Sequence, residues 1–271
     1  MADNRPIGVF DSGLGGLTVV REIMRLMPNE DIIYFGDTAR VPYGGRSSST
    51  VIKYATEDAE LLLRHNVKLI VAACGTVSSV ATELGKDLPV PYFGVVAPSA
   101  EYAAKVTKNG KIGVIGTRAT IKSTAHKNAI LKIKPQAEVF NNACPLFVPL
   151  VEEGWYKAED SVVKGTVSRY MEPLKQAGVD TLILGCTHYP ILKDAISAEM
   201  GEGVQLVNMG KAAAEMLKEY IISASLCNGS ETKGRVKYLV SDKTEAFGAV
   251  ASVLMGEDIG LNDVELVKVT L

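Results

Sequence analysis

Two cysteines in this sequence stand in nearly the same local context. Cys74 follows the apolar run at residues 69–73, and Cys186 follows a second apolar run at residues 181–185. Each run predicts a buried parallel strand, and open α/β sheets place ligands at the carboxyl ends of such strands. A single cysteine at a strand end is more often a small core residue. Two matching copies favour a shared chemical role instead.

Two thiols that face each other across a cleft are compatible with three kinds of chemistry. They could form a redox disulfide, which requires Cα atoms within about 7 Å of each other. Cys186 could be a nucleophile with His188 as its base, since residues two apart in a strand share a face. The two thiols could also act as acid and base on opposite faces of one carbon, as inversion of a stereocentre requires. No Gly-x-Ser-x-Gly elbow supports acyl transfer.

The pKa of the Cys74 thiol is expected to fall below its ordinary value. A helix is predicted to begin at Thr76, so that Cys74 lies at a strand–helix junction. The positive end of a helix dipole stabilises a thiolate, which lowers the pKa of the thiol.

A glycine-rich turn near the start of the chain provides a second candidate binding element. Asp11-Ser12-Gly13-Leu14-Gly15-Gly16 separates a short apolar run from a helix predicted over residues 17–27. Backbone N–H groups at a helix N-terminus favour an anion. Thr18 occupies the place of the third glycine in a dinucleotide fingerprint, and the carboxylate of Asp11 would repel a phosphate. The alternative is a plain tight turn with Asp11 or Ser12 as the helix N-cap.

The same sequence of elements recurs in the second half of the chain. Residues 112–117 resemble residues 7–12, and a nearly equal length of chain separates Cys74 from Cys186. We infer an internal duplication. The sequence therefore predicts an α/β fold of two pseudo-symmetric open α/β domains with largely parallel sheets. Residues 1–97 with 209–271 would form the first domain and residues 98–208 the second, with the active site in the cleft between them.

Composition excludes several classes of function. With 271 residues, 47% of them hydrophobic, and a net charge of −2, the chain is an ordinary globular protein without a basic footprint for nucleic acid or anionic lipid. It shows no signal-peptide pattern and no apolar run of membrane-spanning length. The four cysteines have neither Cys-x-x-Cys nor zinc spacing, so we expect reduced thiols in a cytoplasm, with Cys144 structural.

Taken as a set, five motifs resemble those of the bacterial glutamate racemases, in order and at that family's spacing along almost the whole chain. They are Asp11-Ser12-Gly13-Leu14-Gly15-Gly16, Pro42-Tyr43-Gly44, Ala73-Cys74-x-Thr76, Cys144-Pro145-Leu146 with Val151-Glu152-Glu153-Gly154, and Gly185-Cys186-Thr187-His188-Tyr189-Pro190. The resemblance implies an isomerase that interconverts L- and D-glutamate with neither metal nor pyridoxal phosphate nor another cofactor. It also implies a cytoplasmic homodimer that supplies D-glutamate for peptidoglycan, and thereby for cell wall and cell shape.

The resemblance implies roles for individual residues as well. Cys74 would act on D-glutamate and Cys186 on L-glutamate, while Asp11 and His188 poise the protonation of the two thiols. The substrate's carboxylates and ammonium group would be held by Ser12, Tyr43, Gly44, Gly75, Thr76, Thr187, and Thr117 or Thr120, and Glu153 would assist near Cys186.

One position departs from the family pattern. The family usually has asparagine after the first cysteine, and this chain has Gly75. Glycine offers only its backbone N–H where asparagine adds side-chain donors. We therefore expect weaker or differently oriented substrate binding and more room at this point of the cleft.

Three alternatives follow from the same residues. An aspartate racemase or a broader amino-acid racemase would share both cysteines, although the contexts of Asp11 and Cys186 favour glutamate. A non-catalytic ligand-binding relative would keep the fold without turnover, and Gly75 is the one hint of such decay. A thiol redox sensor would form a Cys74–Cys186 disulfide on mild oxidation.

Overall fold

Two separate parallel sheets organise the chain, which confirms the predicted α/β class. The computed structural model describes residues 2–243 and 247–269. The strands in this part of the chain are β1 (Ile7–Asp11), β2 (Ile32–Gly36), β3 (Leu69–Ala72), β4 (Tyr92–Gly94), β5 (Lys111–Gly116), β6 (Glu138–Ala143), β7 (Thr181–Gly185), β8 (Gln205–Asn208), β9 (Val236–Val240) and β10 (Val264–Leu266). The α-helices are α1 (Leu17–Leu26), α2 (Ser48–Arg64), α3 (Gly75–Val80), α4 (Val96–Val106), α5 (Arg118–Ser123), α6 (Ala125–Ile133), α7 (Phe147–Glu152), α8 (Ser161–Ala177), α9 (Lys193–Met200), α10 (Met209–Ser223) and α11 (Phe247–Met255). Short 3-10 turns lie at Thr38–Arg40, Tyr43–Gly45, Leu84–Lys86, Tyr189–Leu192 and Leu261–Asp263.

The first sheet has six parallel strands in the order β10-β9-β2-β1-β3-β4. Strands β9 and β10 come from the end of the chain, so the last elements of the chain complete the sheet that β1 begins. Val9 and Leu69 contribute to a core under α1, α10 and α11, while Phe10 and Phe35 point into a second core under α2. Strands covered on both faces carry continuous apolar runs, which is why residues 69–72 are apolar throughout.

The second sheet has four parallel strands in the order β6-β5-β7-β8. Leu182 and Leu184 face a core with α8 and α9, and Ile112 and Ile183 face a core with α4 and α6. Its strand order repeats the β2-β1-β3-β4 order of the first sheet, as the predicted duplication requires. None of the described helices combines the length and apolar character needed to cross a bilayer.

The strand order of each sheet reverses beside its central strand. The first reversal lies between β1, which ends at Asp11, and β3, which Cys74 follows by two residues. The second lies between β5, which ends at Gly116, and β7, which Cys186 follows directly. Ligands of open α/β sheets bind in the crevice at such a reversal. The fold therefore gives both cysteines equivalent positions.

Several element boundaries differ from those that the sequence predicts. The largely apolar run at residues 89–96 predicts a strand that Pro98 would end, but the structure has only the shorter β4. Pro98 lies in the first turn of α4, where a missing N–H breaks no helical bond. The predicted helix over residues 243–255 and the predicted strand over residues 264–270 extend outside the described residues at 244–246 and 270. Helix α4 packs against β7 and β8 although it begins at Val96. The domain boundary after residue 97 thus falls in its first turn, and the division into domains stays a prediction.

His126, near the start of α6, is a buried polar side chain. Its ring is 2% exposed, and neither ring nitrogen has a hydrogen-bond partner among the described residues. Burial lowers the pKa of His126 from 6.5 to about 4. The folded protein therefore holds this imidazole neutral under conditions in which the unfolded chain protonates it.

We predict that replacement of His126 by leucine weakens the dependence of stability on acid pH. Below pH 6.5 the unfolded chain binds a proton that the folded chain accepts only near pH 4, so stability falls as the pH falls through this window. At pH 5 the wild type should have lost about 2 kcal/mol through this residue, relative to neutral pH. Urea unfolding at pH 7.5 and pH 5 measures the difference. Equal losses in the wild type and in His126→Leu would contradict the assignment.

Candidate active site

A cavity of about 280 Å³ lies where the carboxyl edges of the two sheets meet. Both sheets contribute to its wall: Ser12, Gly13, residues 41–45, Cys74, Gly75 and Thr76 come from the first, and Thr117, Arg118, Pro145, Val148, Pro149, Glu152 and residues 186–189 from the second. This volume lies near the lower end of the range for small-molecule sites. Ten of the thirteen residues predicted for the site line it, and Asp11, Thr120 and Glu153 lie outside its wall.

Cys74 is the N-cap of α3, and its side chain is buried. The thiol donates to Ser12 Oγ across 3.5 Å. Burial, and then the charge of Asp11, raise the pKa of Cys74 to about 12. The expected lowering by the helix dipole is therefore wrong. Helix α3 spans only six residues, and loss of solvent around the sulfur outweighs what so short a helix contributes.

Cys186 forms a chain of polar contacts with His188 and Glu152. The Sγ atom of Cys186 lies 3.9 Å from His188 Nδ1, and His188 Nε2 lies 3.1 Å from Glu152 Oε1. Both Cys186 and His188 follow the end of β7, so they meet through a turn and not through the shared face of a strand. Burial alone would lower the pKa of His188, but its hydrogen bonds with Cys186 and Glu152 raise it to about 10. An imidazolium therefore lies beside the second thiol.

Asp11 lies behind the cavity wall, at the end of β1. It is 1% exposed, and its Oδ2 atom accepts a hydrogen bond from the backbone N–H of Gly13 across 3.1 Å. This turn leaves the capping of α1 to Gly16, which makes no side-chain bond, so neither Asp11 nor Ser12 is the N-cap. Burial raises the pKa of Asp11, and the charge of His188 opposes that rise. Its Oδ1 atom has no hydrogen-bond partner among the described residues.

Three threonines connect the two sides of the cavity. Thr76 Oγ1 lies 3.0 Å from Thr117 Oγ1, and Thr117 Oγ1 donates to Thr120 Oγ1 across 3.0 Å. Thr117 is also the N-cap of α5, where its side chain accepts from the N–H of Thr120. Thr117 therefore faces the cavity, and Thr120 supports it from behind. Thr187 lines the opposite side, with its carbonyl oxygen accepting from Thr18 Oγ1 across 3.0 Å.

The hydroxyl group of Tyr43 is engaged by two carboxylates. It contacts the carboxylates of Asp37 and of Asp58, the latter across 3.0 Å. These two contacts occupy the hydroxyl, so any substrate contact of Tyr43 falls to the rest of the residue, and its role in holding the substrate stays a prediction. Tyr43 is nevertheless part of the cavity wall. Gly44 beside it packs closely against Thr117, since a Cβ atom there would come within 2.7 Å of the threonine Cβ.

Gly75 marks a close approach of the two sheets. A Cβ atom at this position would lie 2.5 Å from the carbonyl oxygen of Gly185 and 3.1 Å from Met209 Cε. Real Cβ atoms essentially never come that close to another heavy atom. The expected extra room at this glycine is therefore wrong: the opposite backbone occupies the space that a side chain would need.

Glu152, and not Glu153, is the carboxylate that belongs to the site. Val148 and Glu152 lie four residues apart on one face of α7, and both line the cavity. Glu153 lies one residue further round, in an outer groove with Trp155 and Val162. The helical spacing of Val148 and Glu152 is the sequence signal that could have identified this residue. The sequence motifs also do not indicate Arg118, which is an exposed cation at the cavity rim.

The described residues contain no group of three histidine, cysteine, aspartate or glutamate side chains arranged to hold a metal ion. All four cysteines lie in the described part of the chain and are free thiols. The ionisable groups at the cavity are thus arranged in two sets, Cys74 with Asp11 on one side and Cys186 with His188 and Glu152 on the other.

Comparison with known proteins agrees with this arrangement. A glutamate racemase from Geobacter metallireducens is 47% identical over 257 residues, which cover 94% of each chain. The crystal structure of glutamate racemase from Francisella tularensis in complex with D-glutamate is 36% identical, covers 98% of both chains and has a TM-score of 0.91. That of glutamate racemase from Thermus thermophilus in complex with beta-chloro-D-alanine is 44% identical, covers 99% of this chain and 98% of that chain, and has a TM-score of 0.87.

The sequence model of the Asp/Glu/hydantoin racemase family matches residues 7–217. That range includes β1 to β8, and with them every residue predicted for the site. The chain therefore belongs to the Asp/Glu/hydantoin racemase family and is an isomerase.

Proposed function

We propose that this chain is a glutamate racemase that interconverts L- and D-glutamate by two-base proton transfer between Cys74 and Cys186, without a cofactor. The observation that carries the proposal is that one small cavity receives both thiols, each from the carboxyl end of a strand in a different sheet. Two proton-transfer groups on opposite walls can reach opposite faces of a single carbon atom. One thiol alone could exchange a proton but could not invert the carbon.

The reaction from L-glutamate needs one thiolate and one thiol. The Cys186 thiolate removes the proton from Cα, and the electron pair of the broken C–H bond passes into the α-carboxylate as the carbon becomes planar. The Cys74 thiol then donates its proton to the opposite face, which forms D-glutamate. Afterwards Cys186 holds a proton and Cys74 lacks one. The reverse reaction, or exchange with solvent, restores the starting state.

The neighbours of the two thiols support these starting states. The pKa of about 12 for Cys74 keeps this thiol protonated at neutral pH, ready to donate. His188, with its pKa near 10, places an imidazolium 3.9 Å from Cys186, where negative charge on sulfur is needed. In the direction from D-glutamate, the Cys74 proton must leave first. The Oδ1 atom of Asp11, for which the described part of the chain offers no hydrogen-bond partner, provides an acceptor on that side.

The polar groups of the cavity suit an amino acid with two carboxylates. Backbone N–H groups at the start of α3 and the hydroxyls of Ser12, Thr76 and Thr117 provide neutral donors beside the reacting thiols. Arg118 adds a positive charge at the rim, which favours entry of an anion. The choice of glutamate over aspartate is supported by the relatives, which are named for glutamate.

We extend the proposal to the wider role that the resemblance implies. The D-glutamate formed would supply peptidoglycan synthesis in the cytoplasm, and the active form would be a homodimer. The support for this part is the similarity to glutamate racemases over 94% of the chain.

The proposal predicts loss of the Cα proton signal when purified protein is incubated with either enantiomer of glutamate in D₂O. Proton NMR measures the exchange, and circular dichroism measures the loss of optical activity in parallel. In Cys74→Ser, L-glutamate should still exchange its Cα proton through Cys186 while racemisation falls by roughly 10²-fold or more. Cys186→Ser should show the reverse preference and exchange only D-glutamate.

The outcomes of that experiment separate the alternatives. A response to aspartate and none to glutamate would keep the chemistry and reject the proposed substrate. Exchange without racemisation in the wild type would reject the two-base mechanism. No response to any amino acid would favour a ligand-binding relative without turnover.

Removal of the Glu152 carboxylate should shift the alkaline limit of the reaction to lower pH. Glu152 helps to raise the pKa of His188, so Glu152→Gln lowers that pKa and the imidazolium is lost earlier as the pH rises. The alkaline limb of kcat should move down by about one pH unit or less, because the glutamate is partly exposed. Glu153→Gln removes the adjacent carboxylate outside the cavity and should leave the profile unchanged. Equal shifts in both variants would point to general surface charge.

Substitution of Gly75 should impair the enzyme even when the new side chain is small. A methyl group at this position meets the carbonyl oxygen of Gly185, so Gly75→Ala forces the two sheets apart and moves the thiols away from the substrate. We expect kcat/KM to fall about tenfold or more, since small misplacements of catalytic groups are costly, and Gly75→Asn to fall further. Gly165→Ala, in α8 and outside the cavity wall, is the control, because no described residue comes within 4 Å of a Cβ atom there. An improved KM in Gly75→Asn would show that the cleft opens without penalty.

A further inference from the structure

A buried ionic cluster lies beside the cavity and is not part of the proposed chemistry. At its centre is the guanidinium group of Arg40, which donates to Asp37 Oδ2 across 2.5 Å and to Asp58 Oδ1 across 2.8 Å. It also donates to Glu57. One cation thus contacts three carboxylates, two of which have fully buried side chains. Burial of this much charge is costly unless the groups hold a defined geometry.

Tyr43 joins this cluster through its hydroxyl group, which contacts one carboxylate oxygen of Asp37 and one of Asp58. Its single O–H lies between the two acids, so the phenol links Asp37 to Asp58. Burial, and then the charge of Asp37, raise the pKa of Asp58 well above its ordinary value.

Further contacts attach the cluster to both neighbouring elements of the first sheet. Ser241, directly after β9, donates through Oγ to Asp37 Oδ1 across 2.8 Å and accepts from the N–H of Ala39 across 2.9 Å. The guanidinium group lies over the ring of Tyr54 in α2, 4.2 Å from the ring centroid. Arg40 is thus fixed between the end of β2, the end of β9 and α2.

The segment that this cluster holds is part of the cavity wall. Residues 41–45 follow Arg40 directly, and all five line the cavity, whereas Arg40 does not. Within this segment, Tyr43 is bonded to the cluster and Gly44 packs against Thr117 of the other sheet. Any displacement of the cluster therefore moves the wall relative to Thr117.

We propose that Arg40 is a positioning residue that fixes the wall segment 41–45 in its substrate-binding conformation by gathering Asp37, Asp58 and Tyr43 into one rigid cluster. The role rests on the proposed racemase function only for its effect on substrate binding. A segment that contacts substrate and transition state alike contributes to KM and not to kcat. The proposal therefore predicts a selective effect on KM.

The test compares Arg40→Met and Arg40→Lys in the full chain. Arg40→Met should raise KM about tenfold or more for both L- and D-glutamate while kcat changes less than about threefold. Arg40→Lys keeps the positive charge but lacks the planar guanidinium group, so its KM should lie between those of the wild type and of Arg40→Met. Lys53→Met is the matched control, because the exposed Lys53 is 3.9 Å from the same Glu57 and leaves the guanidinium in place. Adding Tyr43→Phe to Arg40→Met should raise KM little further, because both changes break the same link between the ionic cluster and the wall segment 41–45.

A second measurement does not depend on activity. Hydrogen exchange followed by mass spectrometry, without substrate, should show faster exchange in a peptide covering residues 38–47 of Arg40→Met and unchanged exchange in α8. If unpaired acids prevent that variant from folding, Arg40→Met with Glu57→Gln removes one of the carboxylates that Arg40 contacts and should still show faster exchange at residues 41–45.

The outcomes distinguish the two proposals from each other. Unchanged exchange at residues 41–45 together with an unchanged KM would overturn the positioning role. A fall in kcat with KM unchanged would also overturn it. Faster local exchange in a protein whose wild type does not racemise glutamate would support the positioning role and reject the proposed function.

Discussion

A close approach of the two sheets, where Gly75 meets the carbonyl group of Gly185, is the constraint on which the site depends. Each of these glycines is the neighbour of a cysteine, so the distance between the two backbones determines how far apart the two sulfur atoms lie. The same kind of contact recurs at Gly15, which packs against Thr187 and His188. A Cβ atom at either glycine of the first sheet would hold the walls apart. Backbone atoms without side chains are what allow two thiols to share one small cavity.

Burial is the second constraint, because it strengthens the effect of each charge at the site on the pKa values of the neighbouring groups. Removal of solvent raises the pKa of Cys74 and of Asp11, and it strengthens the interaction between neighbouring charges. His188 stays protonated at neutral pH only because Cys186 and Glu152 accept its hydrogen bonds. Glu152 is about half exposed, so it also connects this buried pair with solvent. Proton exchange with bulk water is therefore easier to arrange on the Cys186 side than on the Cys74 side.

The sequence predicts the parts of this structure that depend on local patterns, and it misses the parts that depend on contacts between distant segments. The strands before Cys74 and Cys186 are predictable because continuous apolar runs are typical of parallel strands buried on both faces. Glu152 and Glu153 could not be told apart without the helical register of α7, in which one residue changes the direction of a side chain by about 100°. The role of Gly75 depends on Gly185, and nothing in the sequence near Gly75 indicates that backbone. The burial that reverses the expected pKa of Cys74 is likewise a property of the assembled cleft.

The duplicated backbone and the unequal side chains have different consequences for the proposed reaction. Equivalent strand positions give the two thiols equivalent access to the substrate carbon, but the first has a carboxylate beside it and the second an imidazolium. L- and D-glutamate have the same free energy in water, so no asymmetry of the enzyme can make kcat/KM differ between the two directions at equilibrium. Asp11 and His188 can therefore make kcat differ between the two directions only if KM differs by the same factor. The charges around the thiols thus determine which thiol is deprotonated when each enantiomer binds. The duplicated strands place one thiol on each side of the substrate carbon, so that both enantiomers can react.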